Sequence, residues 1–143
     1  MTAAKKPKVL MTKGKKKTAV ARVTIKDGKG TIKVNGKLIQ DYNPAYSQQI
    51  ILEPVLIAAE VLGAPFVESI NINANVNGGG FMSQAHAART GIGKALVEWT
   101  GNEDLKKAYV AYDRSIVVDD ARKKESKKFL RKGARAKPIK AYR

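Results

Sequence analysis

The sequence predicts one domain of mixed β-strands and α-helices between two basic arms. Residues 18–26 and 66–77 alternate between two faces with the period of a strand, and a turn at residues 27–30 leads into a short strand at 31–34. Residues 43–62, 82–99 and 102–112 show the apolar spacing of helices. Lys and Arg are concentrated at both ends, so we expect a basic N-terminal arm at residues 1–15, a globular domain at 16–121 and an extended basic C-terminal tail at 122–143.

The net charge of +16 belongs almost entirely to the two ends. Residues 1–17 hold seven Lys and no acid (+7), residues 122–143 hold eleven Lys or Arg and one acid (+10), and residues 18–121 hold ten basic and eleven acidic residues (−1). A segment with so much like charge and so few apolar residues does not collapse alone, so the tail is expected to order on a polyanion. This separation of charge favours nucleic-acid binding over a merely solvated surface.

The composition excludes several classes of protein. The chain contains no Cys, which excludes a disulfide framework, a thiolate metal site and thiol redox chemistry. The basic N-terminus lacks the apolar segment of a signal peptide, and no run approaches 18 apolar residues. We therefore expect a soluble, intracellular protein with no membrane partner.

The first third of the chain predicts a β-meander. Residues 1–15 show no periodicity, so order is expected to begin at Lys17. From Thr18 to Lys26, small and branched residues on one face alternate with a partly basic face. Asn35-Gly36 is the strongest two-residue hairpin signal, and it should join strands at residues 31–34 and 37–39.

Two helical pieces and a strand are predicted next. Asn43-Pro44 fits an N-cap followed by Pro at the first helical position, and Pro54 is expected to interrupt the helix. The second piece should end at Leu62. Phe66 to Asn77 gives the clearest alternation in the chain and predicts a central strand with an amide-lined face.

A triple glycine at residues 78–80 leads into a helix predicted from about Met82 to Trp99. Its inner stripe should consist of Ala85, Ala88, Ile92, Leu96 and Trp99, with Ala87, Thr90, Gly91 and Lys94 facing outward. A glycine inside a helix costs about 1 kcal/mol, so Gly91 and Gly93 indicate that something approaches this backbone closely. That neighbour is either the backbone of a nucleic acid or another element of the fold.

The last part of the domain predicts a capped helix and a short apolar run. Asn102 should cap a helix whose apolar face is formed by Leu105, Ala108, Tyr109 and Tyr112. Residues 115–118 suit an edge strand, and Asp119-Asp120 after them is expected to be a solvated turn.

The residue types predict no catalytic, cofactor or metal site. Gly91-Ile92-Gly93-Lys94 lacks the spacing and the Ser or Thr of a Walker loop. His86 is the single histidine, and without Cys or clustered carboxylates it forms neither a metal site nor a nucleophile system. We expect His86 to hydrogen-bond or to contact RNA, and an enzyme with a small phosphate-bearing substrate is the weakest alternative.

The basic clusters predict an RNA-binding surface instead. Lys13 to Lys17, Arg22 and the tail supply cations for about ten phosphate contacts, which fix position without recognising sequence. Aromatic residues are sparse in the arms, which argues against a single-strand stacking platform. The predicted RNA-contacting residues are Lys13, Lys15, Lys16, Lys17, Arg22, Gly79, Gly80, Arg89, Lys94, Arg122, Lys127, Lys128, Arg131, Lys132 and Arg135.

Three segments, in order along nearly the whole chain, resemble a known family. Residues 14–23, Gly-Lys-Lys-Lys-Thr-Ala-Val-Ala-Arg-Val, are similar to the N-terminal signature of the universal small-subunit ribosomal protein family S-nine (S-nine/S-sixteen). Residues 75–80, Gln84 and residues 87–99 are similar to its central motif. Residues 118–122 and the closing Ala-Tyr-Arg resemble the archaeal branch and its eukaryotic relatives.

The resemblance implies a fold and a function. It implies a two-layer α+β domain with a four-stranded mixed sheet and packed helices, a left-handed βαβ crossover, and a fold shared with the second domain of ribosomal protein S-five. It implies a structural, non-catalytic protein in the head of the cytoplasmic small ribosomal subunit, with small-subunit rRNA and neighbouring head proteins as partners. It also implies that Lys140, Tyr142 and Arg143 contact the anticodon-loop backbone of peptidyl-site tRNA. The competing interpretation is a free-standing nucleic-acid condenser or RNA chaperone, for which the arms would suffice.

Overall fold

A mixed five-stranded sheet forms one layer of the described part of the chain. The structure is a computed structural model, and it describes residues 9–138 and 140. The strands are β1 (Val9–Lys16), β2 (Ala19–Asp27), β3 (Ile32–Val34), β4 (Lys37–Leu38) and β5 (Ile70–Asn77), in the order β1-β2-β5-β3-β4. Only the β3/β5 pair among them is parallel. The α+β class is confirmed, but the sheet has five strands rather than four.

The alternation of apolar and polar residues predicted a strand correctly where one face of the strand is apolar. Ala19, Ala21, Val23 and Ile25 of β2 are all buried, and the apolar face of β5 is buried against the same layer. Asn35 and Gly36 have φ values of 49° and 82°, which suits the tight turn that joins β3 to β4. These predictions are confirmed.

Two predictions about the first third of the chain are wrong. Residues 9–15, which were expected to lie in an arm without regular structure, form most of β1 and pair with β2 from Val9↔Lys26 to Lys16↔Ala19. The strands do not form a meander, because β5 lies between β2 and β3. From β3 the chain passes through β4 and the mainly helical residues 45–68 before it reaches β5, the parallel neighbour of β3. The left hand of this crossover stays a prediction.

Four helices lie in the described residues: α1 (Ala45–Leu62), α2 (Ala64–Glu68), α3 (Phe81–Thr100) and α4 (Glu103–Tyr112). The expected break at Pro54 is wrong, because α1 continues through it. The expected cap at Asn43 is also wrong, because α1 begins at Ala45 and Pro44 is its N-cap residue. Residues 66–68, predicted as strand, belong to α2. Within the described chain no helix is long and apolar enough to cross a membrane.

Helix α3 is buried on nearly all sides. The predicted inner stripe is buried, but Ala87, Thr90 and Gly91, which were expected to face outward, are buried too. A Cβ added at Gly91 would lie 2.7 Å from a methyl carbon of Val23, and one at Gly93 would lie 2.4 Å from Ile116. The neighbours that approach these glycines are therefore β2 with β1 and the segment after α4. Of the two predicted neighbours of Gly91 and Gly93, another element of the fold is therefore the correct one.

The end of the domain packs around α4. The side chain of Asn102 accepts a hydrogen bond from the backbone N–H of Asp104 at 2.8 Å, which confirms the predicted cap. The buried Tyr109 hydroxyl donates to the carbonyl oxygen of Pro54 at 2.6 Å and connects α4 to α1. Residues 114–116 form a 3-10 turn rather than the expected edge strand.

Candidate nucleic-acid interface

Three of the predicted cations lie together on the face of the sheet that the helices leave uncovered. In an antiparallel pair, opposed residues point to the same side, and Lys13 is opposed to Arg22 while Lys15 is opposed to Val20. None of these three cations has an ion-pair partner among the described residues. Like charges placed opposite each other destabilise a strand pair slightly, so an anionic partner would relieve the repulsion between Lys13 and Arg22.

A second group of predicted cations is held by two acids at the start of the tail. Lys16 pairs with Asp120 at 3.3 Å, Lys94 with Asp119 at 2.7 Å, and Arg122 with Asp120 at 2.7 Å. Hydrogen bonds from Arg122, and a further one from Lys16, hold the pKa of the Asp120 carboxyl well below its usual range. The expectation that these acids form a solvated turn is wrong. Asp119 and Asp120 instead form ion pairs that hold Lys16, Lys94 and Arg122 in place.

The same acids fix the position of the tail against β1. The backbone N–H of Lys17 donates to the carbonyl oxygen of Asp120 at 2.8 Å, and the N–H of Asp120 donates to the carbonyl oxygen of Lys15 at 3.0 Å. The carboxylate of Asp119 accepts from the N–H of Lys15 at 3.0 Å. The lysine-rich end of β1 and the first residue of the tail therefore form one continuous basic surface.

Arg89 does not belong to an exposed RNA-binding surface. It is 5% exposed, and its guanidinium forms ion pairs with Glu53 and with Asp113, the latter at 2.8 Å, and donates to the Ser115 hydroxyl at 3.0 Å. Burial raises the pKa of Asp113, but hydrogen bonds from Ser115 and Arg89 outweigh it and lower that pKa to about 2. The structure gives Arg89 an internal role, which joins α3 to α1 and to the segment after α4.

His86 is half-buried beside this network. Burial, followed by the charges of Lys16 and Arg89, lowers the pKa of His86 from its usual value, so the imidazole is neutral at neutral pH. The described residues contain no cluster of His, Asp or Glu suited to a metal ion. Contact of His86 with RNA stays a prediction.

The predicted glycines have two different environments. A Cβ added at Gly79 would lie 3.2 Å from the Cβ of Ala19, and its φ of 68° disfavours other residues. Gly80 is exposed at the start of α3, with no atom within 4 Å of an added Cβ. The space around Gly80 allows a phosphate to approach its backbone closely. Gly79 is needed for the conformation of the turn before α3.

The described part of the tail is exposed and contains only short-range order. Lys127, Lys128, Lys132 and Arg135 are exposed, and Arg131 is half-buried where it pairs with Pro138 in a single antiparallel bridge. Glu125 pairs with Arg135 at 3.1 Å and with Lys128 at 4.0 Å. Lys140 is exposed, while the predicted tRNA contacts at Tyr142 and Arg143 lie outside the described residues.

Comparison with known proteins identifies the relatives of this sequence. The profile of the family described as ribosomal protein S9/S16 matches residues 14–143. The protein named "Small ribosomal subunit protein uS9" from Methanothrix thermoacetophila is 46% identical over 136 residues, which cover 95% of this chain and 99% of the relative. The proteins of the same name from Methanococcus vannielii and Methanococcus maripaludis are each 44% identical over 138 residues, with 95% and 99% coverage.

Proposed function

The chain belongs to the ribosomal protein S9/S16 family, a family of structural, non-enzymatic proteins, and we propose that it is a component of the head of the cytoplasmic small ribosomal subunit. Its direct partners are small-subunit rRNA and neighbouring head proteins. The domain docks by shape, and the basic segments neutralise phosphates.

The observation that carries this proposal is the basic surface around the end of β1. Lys13, Lys15 and Arg22 have no carboxylate partner in the described chain, and they lie beside the Lys16–Asp120–Arg122 cluster from which the tail departs. The domain itself is close to neutral, at −1 for residues 18–121. A charge distribution of this kind suits a folded body held against RNA by its edges and arms.

Sedimentation at two salt concentrations tests the docked state. We expect this protein to remain with the small subunit and with whole ribosomes in a sucrose gradient at about 500 mM salt. Binding through about ten phosphates alone would fall by roughly 10³ to 10⁵ between 50 and 200 mM salt. Release of the protein into RNA-free or DNA-bound fractions at high salt would contradict stable docking on the subunit. It would support a free-standing nucleic-acid condenser instead.

We further propose that the end of the tail contacts peptidyl-site tRNA through Lys140, Tyr142 and Arg143. Deletion of residues 140–143 should leave subunit assembly intact and weaken tRNA retention by at least about tenfold, since even one charge-assisted contact to phosphate contributes roughly 1.5 kcal/mol. Filter binding of tRNA to purified subunits measures this. Arg143→Lys should be milder than Arg143→Glu, because Lys keeps a charge but not the planar fork. Unchanged retention after the deletion would exclude the contact.

A further inference from the structure

The uncovered face of the sheet has a row of asparagines that the fold does not use. Asn73, Asn75 and Asn77 point to this face and are exposed, and none of their side chains has a hydrogen-bond partner in residues 9–138 and 140. Asn71, at the start of the row, behaves differently. Its carboxamide oxygen accepts from the backbone N–H groups of Lys29 at 2.9 Å and of Thr31 at 3.0 Å.

These three asparagines are poor choices for a central strand. Asn is depleted in strands, where β-branched and aromatic residues fit the pleated surface better. Asn71 offsets this disadvantage by holding the turn before β3, but the other three make no such contact in the described structure. Their value therefore has to come from hydrogen bonds to a partner.

Cations border the row of amides on both sides. On β2, Arg22 is opposed to Asn75 and Lys26 to Asn71, while on β3 Lys33 is level with Asn73. Farther out, Lys13 of β1 is opposed to Arg22. Asp27, the single acid in the five strands, is opposed to the buried Ile70 and so lies on the other side of the sheet. Thr24, Lys26, Thr31, Lys33, Asn71, Ile72 and Asn73 line a cleft of about 330 Å³ on this face.

The spacing and the residue types indicate what this surface binds. Alternate residues of a strand are about 6.6 Å apart, so the three amides form a row about 13 Å long, with Arg22 and Lys26 on the β2 side and Lys33 on the β3 side. A carboxamide both donates and accepts, which matches a hydroxyl group, whereas the carboxylates of an acidic protein need donors only. None of the five strands contains an aromatic residue, so stacking of unpaired bases is not available here.

We propose that this face of the sheet binds the minor groove of a double-stranded RNA helix. Asn73, Asn75 and Asn77 hydrogen-bond to 2′-hydroxyl groups, and Arg22, Lys26 and Lys33 bind phosphates on the two sides of the groove. The inference rests on the proposed function and specifies the form of RNA bound by the domain. It adds Lys26, Lys33 and the three asparagines to the predicted contacts.

The first test compares binding to a duplex RNA of about 16 base pairs with binding to a duplex DNA of the same sequence. The wild-type chain should prefer the RNA. The triple variant Asn73→Ala, Asn75→Ala, Asn77→Ala should bind the RNA at least about tenfold more weakly and lose most of the preference, because the 2′-hydroxyl distinguishes the two duplexes. Its salt dependence should not change, since no charge is removed.

A second variant separates the cations from the amides. Lys26→Gln with Lys33→Gln should reduce the slope of log affinity against log salt by about 1.8, at roughly 0.9 for each lost phosphate contact, and keep the preference for RNA. Lys106→Gln with Lys107→Gln on α4 is the matched control, and its slope should stay close to that of the wild type. All the substituted side chains are exposed, so circular dichroism should show a folded protein in each case.

Crosslinking in the assembled subunit tests the identity of the occupant. The chain contains no Cys, so Asn75→Cys gives a unique position for a short photoactivatable label. Crosslinks to rRNA are expected, whereas crosslinks mainly to a protein would overturn the inference. Wild-type affinity and RNA preference in the triple variant would also overturn it, even when the chain sediments with the subunit. Absence of the wild-type chain from the subunit would instead refute the proposed function.

Discussion

Gly14→Ala should lower the free energy of unfolding by about 3 kcal/mol or more. A Cβ at this position would lie 2.2 Å from the carbonyl oxygen of Ala87 and 2.3 Å from the backbone nitrogen of Gly91. Both are backbone atoms of α3, so relief requires β1 to move away from the helix as a unit. Overpacking in a core costs typically 1–3 kcal/mol, and a clash between two backbones falls at or beyond the upper end of that range.

Urea unfolding followed by the fluorescence of Trp99 measures the effect of Gly14→Ala. Gly80→Ala is the matched control, because its φ of −98° suits alanine and no atom lies within 4 Å of the added Cβ. Gly80 is the N-cap residue of α3, where Ala is less favourable than Gly, so the control should cost no more than about 1 kcal/mol. A similar small change for Gly14→Ala would show that β1 does not cross α3 at this glycine. The movement should also weaken the hydrogen bond from the Thr12 hydroxyl to the Gly91 carbonyl, now 2.9 Å long.

Arg89→Met should destabilise the domain by about 2–3 kcal/mol, which is the range for lost hydrogen bonds to charged groups. The guanidinium is buried between Glu53 and Asp113, and its removal leaves acids in a partly desolvated site without a cation. The Ser115 hydroxyl loses a donor as well, although it still donates to Asp113 at 2.6 Å. Removing one partner of a buried ion pair is more costly than removing a whole pair, because the remaining charge is uncompensated.

A double variant distinguishes lost charge balance from lost packing in Arg89→Met. Addition of Glu53→Gln should recover part of the stability, since the glutamine carries no charge that needs a partner. Arg122→Met, which removes an exposed guanidinium while Asp120 keeps its ion pair with Lys16, is the control and should cost no more than about 1 kcal/mol. The same urea titration applies to all three variants. If Arg89→Met were as mild as Arg122→Met, the buried network would not contribute to stability.

Periodicity predicted β2 and β5 because one face of each strand is apolar, apart from Asp27 at the end of β2. It failed for β1, whose inward positions include Thr12, Gly14 and Lys16, so that no apolar alternation is visible. This strand is specified by its partners, β2 beside it and α3 beneath it. Pro54 shows the same limit for helices, because packing of α1 against α3 and the bond from Tyr109 outweigh a local break.

Charge indicated which cations lie at the surface better than it indicated their individual contacts. Lys13 and Arg22 are exposed as expected and Lys15 is half-buried, because a cation without a nearby acid has no reason to be fully buried. Arg89 was misassigned because its partners Glu53 and Asp113 are 36 and 24 residues away in the sequence and meet it only in the folded domain. The asparagine row was visible in the sequence, but its position beside Lys33 depends on β5 entering the sheet between β2 and β3.

The hydrogen bonds that join Asp120 to the end of β1 limit how far the end of the tail can move. They fix its point of attachment, and the 22 residues after Ala121 span at most about 70 Å when extended. One tail end confined to a sphere of that radius has an effective concentration on the order of 1 mM. Once the domain is docked, a contact at the end with a Kd as weak as about 1 mM would be formed roughly half of the time. A contact this weak at the end of the tail can therefore be substantially occupied and still dissociate quickly.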